Sequence, residues 1–343
     1  MKQQQLEHRH AAVETSPAAS WETLASRVLM GERLTVEQAM TILGAEEDEV
    51  LPMLYAAYLI RKHYFGKLVK LNMIINAKSG LCPEDCGYCS QSIVSAAPVN
   101  RYTLLDKDTI LAGAREALNR RAATYCIVAS GRGPTERELE QVIEAVQEIR
   151  ETMPLKICAC LGLLKPGQAE RLAMAGVHRY NHNLNTSATH YPAITSTHSY
   201  DQRVDTIHAA KQAGMSPCSG VIIGMGESHS DIVDMAFALR ELGADSIPVN
   251  FLHAIQGTAL ADQPRTPAMF ALKVLALFRF VCPDREIRVA GGRELSLRSL
   301  QPLALYAVNS IFVGDYLTTA GQAAALDHQI IEDLGFDIEN CAL

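Results

Sequence analysis

The stretch Leu68-Val69-Lys70-Leu71-Asn72-Met73-Ile74-Ile75-Asn76 is a short, largely apolar β run, and the polar-patterned helical segment Asp106–Arg120 follows it. The same alternation repeats to near the end of the chain. Further β runs are Thr124–Ser130, Lys156–Leu161, Arg179–Leu184, Pro217–Ile223, Ser246–Leu252, Glu286–Ala290 and Ser310–Val313, with helices such as Glu136–Glu151, Pro166–Ala175 and Ser230–Leu242 between them. Eight strand-helix units predict an α/β chain folded as a closed (β/α)8 TIM barrel. The competitor is an open doubly wound sheet, but no G-x-G-x-x-G follows the first strand. Glycines stand instead at strand ends, in Ser130-Gly131-Arg132-Gly133, Gly220 to Gly226 and Gly291-Gly292. In a barrel those ends form the mouth where active sites are built.

Outward from the barrel, residues 66–320, lie an N-terminal extension, 1–65, and a C-terminal helix or tail, 321–343. Residues 1–18 are expected to be disordered, and Trp21 to His63 carry helical periodicity. The chain has 343 residues and a net charge of −7, from 31 Lys+Arg against 38 Asp+Glu, which argues against a nucleic-acid partner. At 48% hydrophobic and 20% charged it is of ordinary globular composition. The N-terminus lacks an apolar core segment, and Ala268–Cys282 is interrupted by Lys273 and Arg279, so neither secretion nor membrane insertion is expected. Nine cysteines, an odd number in a long chain, read as reduced ligand thiols in a cytoplasmic protein. His8 and His10 read as part of a polar tail, and His182 as a packed histidine.

Immediately after the first β run comes Cys82-Pro83-Glu84-Asp85-Cys86-Gly87-Tyr88-Cys89, three thiols spaced C-x-x-x-C-x-x-C. Three thiolates on one short loop suit a 4Fe–4S cluster whose fourth iron is open. Zinc is the alternative, but it normally takes a fourth Cys or His, and no pairing C-x-x-C exists in the chain. Cys126, Cys158 and Cys218 fall in three other predicted strands. One buried cysteine is usually a small hydrophobe, but inward positions of separate barrel strands converge on one axis. Arg288 lies in the seventh strand, where a buried guanidinium needs an anionic partner. Cys160 shares a face with Cys158, one layer along, and periodicity does not choose between them. Asn181, Asn183 and Asn185 alternate along the expected fourth strand and so are expected to share a face.

The C-x-x-x-C-x-x-C loop after a first barrel strand resembles the radical S-adenosylmethionine superfamily. The run Cys82 to Ser92, Tyr180-Asn181-His182-Asn183-Leu184-Asn185-Thr186-Ser187, Cys218-Ser219-Gly220 with Gly224 to Glu227, and Arg288 through Glu294 resemble the biotin synthase family within it. The resemblance implies radical sulfur insertion converting dethiobiotin to biotin. It implies a 4Fe–4S cluster on Cys82, Cys86 and Cys89 together with S-adenosyl-L-methionine. A 2Fe–2S cluster on Cys126, Cys158, Cys218 and Arg288, supplying the sulfur, is implied as well; the family's strand selects Cys158 and leaves Cys160 as a neighbour. Cofactor contacts are implied for Tyr88, Ser130, Asn183, Asn185, Ile222 and Glu227. Substrate contacts are implied for Asn183, Asn250, Thr318 and Thr319. Some relatives have Asp where this chain has Asn185. Implied partners are a flavodoxin or ferredoxin type electron donor and cluster-assembly proteins, with a homodimer as assembly. A maturase or mutase of the same superfamily, lacking the second cluster, and a zinc-stabilised scaffold are the competing readings.

Overall fold

The computed structural model describes residues 17–340, so the expectations for 1–16, including His8 and His10, and Cys341 lie outside the described residues. Three helices, α1 (Pro17–Leu29), α2 (Val36–Gly44) and α3 (Val50–Phe65), precede the barrel. The long β1 (Leu68–Lys78) starts it, and β2 (Thr124–Ala129), β3 (Lys156–Cys160), β4 (Arg179–Asn181), β5 (Ser216–Cys218), β6 (Val221–Ile223), β7 (Ser246–Phe251), β8 (Glu286–Val289) and β9 (Ser310–Phe312) continue it in parallel. Lys70↔Ser310 and Asn72↔Phe312 pair the last stave with the first and close the ring.

Between staves run α4 (Lys107–Asn119), α5 (Glu136–Thr152), α6 (Gln168–Ala175), α7 (Tyr200–Gln212), α8 (His229–Leu242) and α9 (Ala268–Val281). Their starts follow from local chemistry. The Thr135, Ser199 and Ser228 hydroxyls each accept from the backbone N–H three positions on and their own N–H donates to that residue's side chain, so the chain turns from loop to helix at a defined residue.

Two strand expectations need correction. The run Pro217–Ile223 is two strands, β5 and β6, separated by Ser219-Gly220. Gly220 packs onto β7, where a Cβ would come within 1.9 Å of the Pro248 carbonyl oxygen, and Pro248 has no N–H to continue the ladder. Arg179–Leu184 pairs only as far as Asn181. Beyond it the chain turns, and Asn185 adopts φ 70°, a left-handed conformation that Asn tolerates, while keeping a single bridge to Val221.

Ala268–Cys282, which reads from its sequence as a buried amphipathic helix, is buried nearly all round, because α2 and α3 cover the face that the barrel leaves open. Its Arg279 is fully buried and donates to Ala307, Pro283 and Arg285 carbonyls and to Asn309 Oδ1. Arg61 on α3 is likewise buried, donating to Val308, Gly66 and Leu68 carbonyls and stacking over Phe336 at 4.3 Å. Burial lowers these two guanidinium groups to about 9 and about 10, and each is satisfied by carbonyls instead of a carboxylate. After α10 (Arg293–Leu297), α11 (Gln301–Ala304) and α12 (Ala324–Asp333), the short β10 (Asp337–Ile338) runs parallel to the start of β1. No helix among the described residues is long and apolar enough to cross a membrane.

Candidate functional site

A cavity of about 400 Å³ opens at the C-terminal ends of the strands, and Cys82, Cys86 and Cys89 line it together with Cys126, Cys158, Cys160 and Arg288. The loop that carries the first three thiols is held by its own acidic residues. Asp85 accepts from Thr195 Oγ1 (2.6 Å), Ser196 N (3.0 Å) and Oγ (2.5 Å) and Thr197 N (3.2 Å). Glu84 accepts from Thr197 Oγ1 (2.6 Å) and Arg132 Nη1 (3.2 Å) and is bonded to His198 Nδ1 (2.6 Å). Gly87 N donates to Ile194 O at 2.8 Å, so one segment, 194–198, clamps the whole loop. Desolvation raises the Cys82 and Cys86 thiols and pushes Cys89 up to about 12, so a metal centre would displace protons from them on binding.

The second set behaves differently. Cys126 faces Cys158 in register, Cys158 faces Arg179, and Cys218 faces Asn181, whose Nδ2 lies 3.2 Å from Cys218 Sγ. Cys126 and Cys218 are lowered, first by the hydrogen bond from Cys158 and then by the charges of Arg288 and Arg179. Cys158, whose one S–H lies between the two, is raised. Cys160 is raised to about 12 by burial, without such support. Arg288 Nε donates to Ser310 Oγ (3.1 Å) and Nη2 to Ser246 Oγ (3.0 Å) and to Glu286. Arg288 also lines the cavity. Its anionic partner within the protein is thus Glu286, which the sequence reading missed.

The other expected residues divide. Tyr88, Ser130, Asn183, Asn185, Ile222, Asn250, Thr318 and Thr319 all line the cavity. Asn185 Nδ2 donates to Tyr88 Oη at 2.6 Å, joining the cysteine loop to the far wall. Ser130 Oγ is buried without a partner, open to a ligand. Asn250 is fixed by Val221 O and Gly291 N, each at 3.0 Å, and Thr318 Oγ1 is 2.8 Å from Ser90 Oγ. Glu227 turns away: it accepts from Gly224 N and Met225 N, both at 2.7 Å, and braces its own loop outside the cavity lining. Asn181, Asn183 and Asn185 all reach the cavity, although the strand ends at the first, because Asn181 Nδ2 bonds Asn183 Oδ1 at 2.9 Å.

Arg203 on α7 was also not legible in the sequence. It is buried, donates to Asn183 O (2.9 Å), His198 (2.7 Å) and Tyr191 Oη, and lines the cavity beside the cysteine loop. Burial and the Arg203 charge lower both His182 and His198, so both are neutral in the folded chain near pH 7. The unfolded chain binds protons on them first, so stability is full above the ordinary histidine range and falls as pH drops below it. The melting temperature is expected to decline from about pH 6.5 downward, and replacing His198 by Gln should flatten that slope. A profile of Tm against pH between those limits checks it.

Does the cavity fit iron–sulfur centres? Among the described residues no three His, Cys, Asp or Glu side chains converge on one point as ligands of a single ion do. Cys82, Cys86, Cys89, Cys126, Cys158 and Cys160 are spread over the cavity wall, Cys218 is fully buried and does not line it, and all eight described cysteines are free. Three thiols on one loop, Cys126, Cys158 and Arg288 opposite them and an unpartnered Ser130 hydroxyl fit clusters and a polar ligand between them.

The barrel, its mouth and the three-cysteine loop are those of a radical S-adenosylmethionine enzyme, and the Radical SAM superfamily profile matches residues 78–239. The Biotin and Thiamin Synthesis associated domain matches residues 248–337. The chain is 66% identical over 324 residues to the biotin synthase of Bacillus pumilus, covering 94% of this chain and 98% of that one. It is 63% identical to the biotin synthase of Geobacillus kaustophilus, covering 94% and 96%. It therefore belongs to the biotin synthase family. In fold it is similar to methylornithine synthase, with a TM-score of 0.80 at 20% identity, covering 93% of this chain and 98% of that one. It is likewise similar to a maturase of the [FeFe]-hydrogenase, with a TM-score of 0.80 at 16% identity, covering 99% and 79%. Family membership makes the chain a sulfurtransferase of the radical type and implies a 4Fe–4S cluster with S-adenosyl-L-methionine.

Proposed function

We propose that the chain inserts sulfur into dethiobiotin, using the two cysteine sets as two separate iron–sulfur sites. Cys82, Cys86 and Cys89 would hold a 4Fe–4S cluster, and Cys126, Cys158, Cys218 and Arg288 a 2Fe–2S cluster. When bound, the first centre with S-adenosyl-L-methionine supplies a 5′-deoxyadenosyl radical, and the second supplies sulfur. The observation that carries this reading is that Cys126, Cys158 and Arg288 line the same cavity as Cys82, Cys86 and Cys89, with Cys218 fully buried on the strand paired to that of Asn181.

The chain's own residues then have work that follows from their positions. Arg203, Ser130, Tyr88 and Asn185 offer a cation and hydroxyl and amide groups to the polar ends of the adenosyl cofactor, and Ile222 offers an apolar contact. Asn250, whose amide is preset by two backbone bonds, suits a ureido group, with Asn183 beside it. Thr318 and Thr319 at the rim suit a carboxylate tail. Glu227 supports this set from behind, holding the Gly224-Met225 backbone. No acid or base is required from the protein for hydrogen abstraction, so positioning and exclusion of water are its contribution.

A flavodoxin or ferredoxin type donor provides the electron, and cluster-assembly proteins load the sites. Reduced ligand thiols fit a cytoplasmic protein, and a homodimer accords with the family likeness. The test is to reconstitute the enzyme anaerobically with 34S-sulfide and analyse the product by mass spectrometry. Biotin carrying the heavy isotope is expected in the first turnover, and biotin of natural mass from fully labelled enzyme overturns the sulfur-source reading.

A further inference from the structure

Beneath Cys126, Cys158 and Cys218 the barrel interior is charged, where layers of apolar side chains are usual. Lys70 on β1, Arg179 on β4, and Glu286 and Arg288 on β8 are 7%, 7%, 8% and 1% exposed. Glu286 is the hub. Its Oε2 accepts from Arg179 Nη1 at 2.9 Å and faces Lys70 Nζ at 3.3 Å. Its Oε1 accepts from Ser246 Oγ at 3.0 Å, from Ser310 Oγ at 3.1 Å and from Arg288 Nη2. Burial alone would raise this carboxyl, but Arg179, Arg288 and Lys70 outweigh it and hold the group far below the usual range.

Three cations against one carboxylate leave a surplus of two formal positive charges. Asp245, at the base of β7, is engaged elsewhere, by Arg285 at 2.8 Å and Ser216 at 2.9 Å. His178, next to Arg179, is lowered by burial and by the Arg179, Lys156 and Lys70 charges, so it is neutral near pH 7 and leaves the surplus unchanged. A buried surplus of one sign is costly unless an anion meets it. Register places the thiols directly on this floor: Arg179 pairs with Cys158, and Ser246, which bonds both Glu286 and Arg288, pairs with Cys218.

We propose that Lys70, Arg179 and Glu286 form a positioning unit for the second cysteine set: Glu286 pins Arg288, and the surplus charge of Lys70 and Arg179 draws anionic sulfur onto the three cysteines. This rests on the reading of those cysteines as ligands of a second cluster. Glu286 and Ser246 grip the same guanidinium nitrogen while Ser310 holds Nε, so the guanidinium plane is fixed where Arg288 lines the cavity. Arg179 and Lys70 contribute charge without being ligands, because both are engaged by the carboxylate.

The two signs of charge give a test that mere structural damage does not mimic. Arg179→Gln removes one surplus charge, whereas Glu286→Gln adds one at nearly constant volume. In the reconstituted enzyme, followed by visible absorption during an anaerobic reductive titration, the midpoint of the second cluster is expected to move to lower potential in Arg179→Gln and to higher potential in Glu286→Gln. The double variant restores the net charge and should return toward the parent. Lys70→Gln should follow Arg179→Gln, which keeps the proposal open to refutation if Glu286→Gln does not fold. The first cluster is the internal control. Equal shifts, shifts of one sign in both single variants, or no shifts overturn the proposal.

If the parent chain binds only four irons, the second-cluster reading itself has failed. The charge unit rests on that reading and falls with it.

Discussion

Cys126→Ala is expected to stop biotin formation while reductive cleavage of S-adenosyl-L-methionine continues. Removing even an outer partner of a metal ligand commonly costs ~10–100-fold in affinity or activity, so loss of a proposed ligand is expected to cost about 100-fold or more. The geometry makes the loss selective. Cys126 lies on β2 opposite Cys158 and touches none of the Asp85 and Glu84 contacts that hold the Cys82 to Cys89 loop. It accepts the Cys158 hydrogen bond and feels Arg288 and Arg179, so its removal leaves the cationic floor facing two thiols instead of three. Cys160 is no ready substitute, because it lies one layer further along β3. Measuring 5′-deoxyadenosine and biotin in the same reaction checks the expectation. Biotin at the parental yield means that Cys126 does not hold the sulfur source.

The fold was legible because most strands are compact apolar runs between turn residues and four of the helices between staves start at a Thr, Ser or Asp cap, so local signals and global topology agree. Legibility ended where one backbone group broke the pattern. Nothing in the run Pro217–Ile223 shows that Pro248, on a different strand, interrupts its ladder. Nothing in the three alternating asparagines shows that the chain leaves the sheet after Asn181.

The thiols were found because their spacing on one loop, and their recurrence on separate strands, carry chemical meaning by themselves. Glu286, Arg179, Lys70 and Arg203 were not, because a charged residue in a strand or helix has no signature until its partner is known. Arg179 and Glu286 are 107 residues apart in sequence and meet only through barrel closure. Glu84 and Asp85 are an intermediate case: they sit between two cysteines, but their role depends on 194–198, far along the chain.

Cys86→Ala is expected to abolish 5′-deoxyadenosine formation, the reverse of the Cys126→Ala outcome at the first step. Cys86 is 7% exposed, and its Sγ lies 3.8 Å from Thr195 Oγ1, the hydroxyl that also donates to Asp85. The same clamp that fixes the loop therefore fixes this sulfur, and with only Cys82 and Cys89 left on the loop no other thiol on it can move into the gap. The Asp85 bonds do not involve the thiol, so the loop itself should stay folded, and the melting temperature of the apoprotein should change little. The expected loss is again about 100-fold or more, with iron bound at the first site falling in proportion and the absorption of the second cluster retained. Because burial raises all three thiols, loading of the parent enzyme should also slow as pH falls, since each ligand must lose a proton to bind. Sustained 5′-deoxyadenosine production by Cys86→Ala would remove the loop from the radical-generating site, and with it the division of labour between the two cysteine sets.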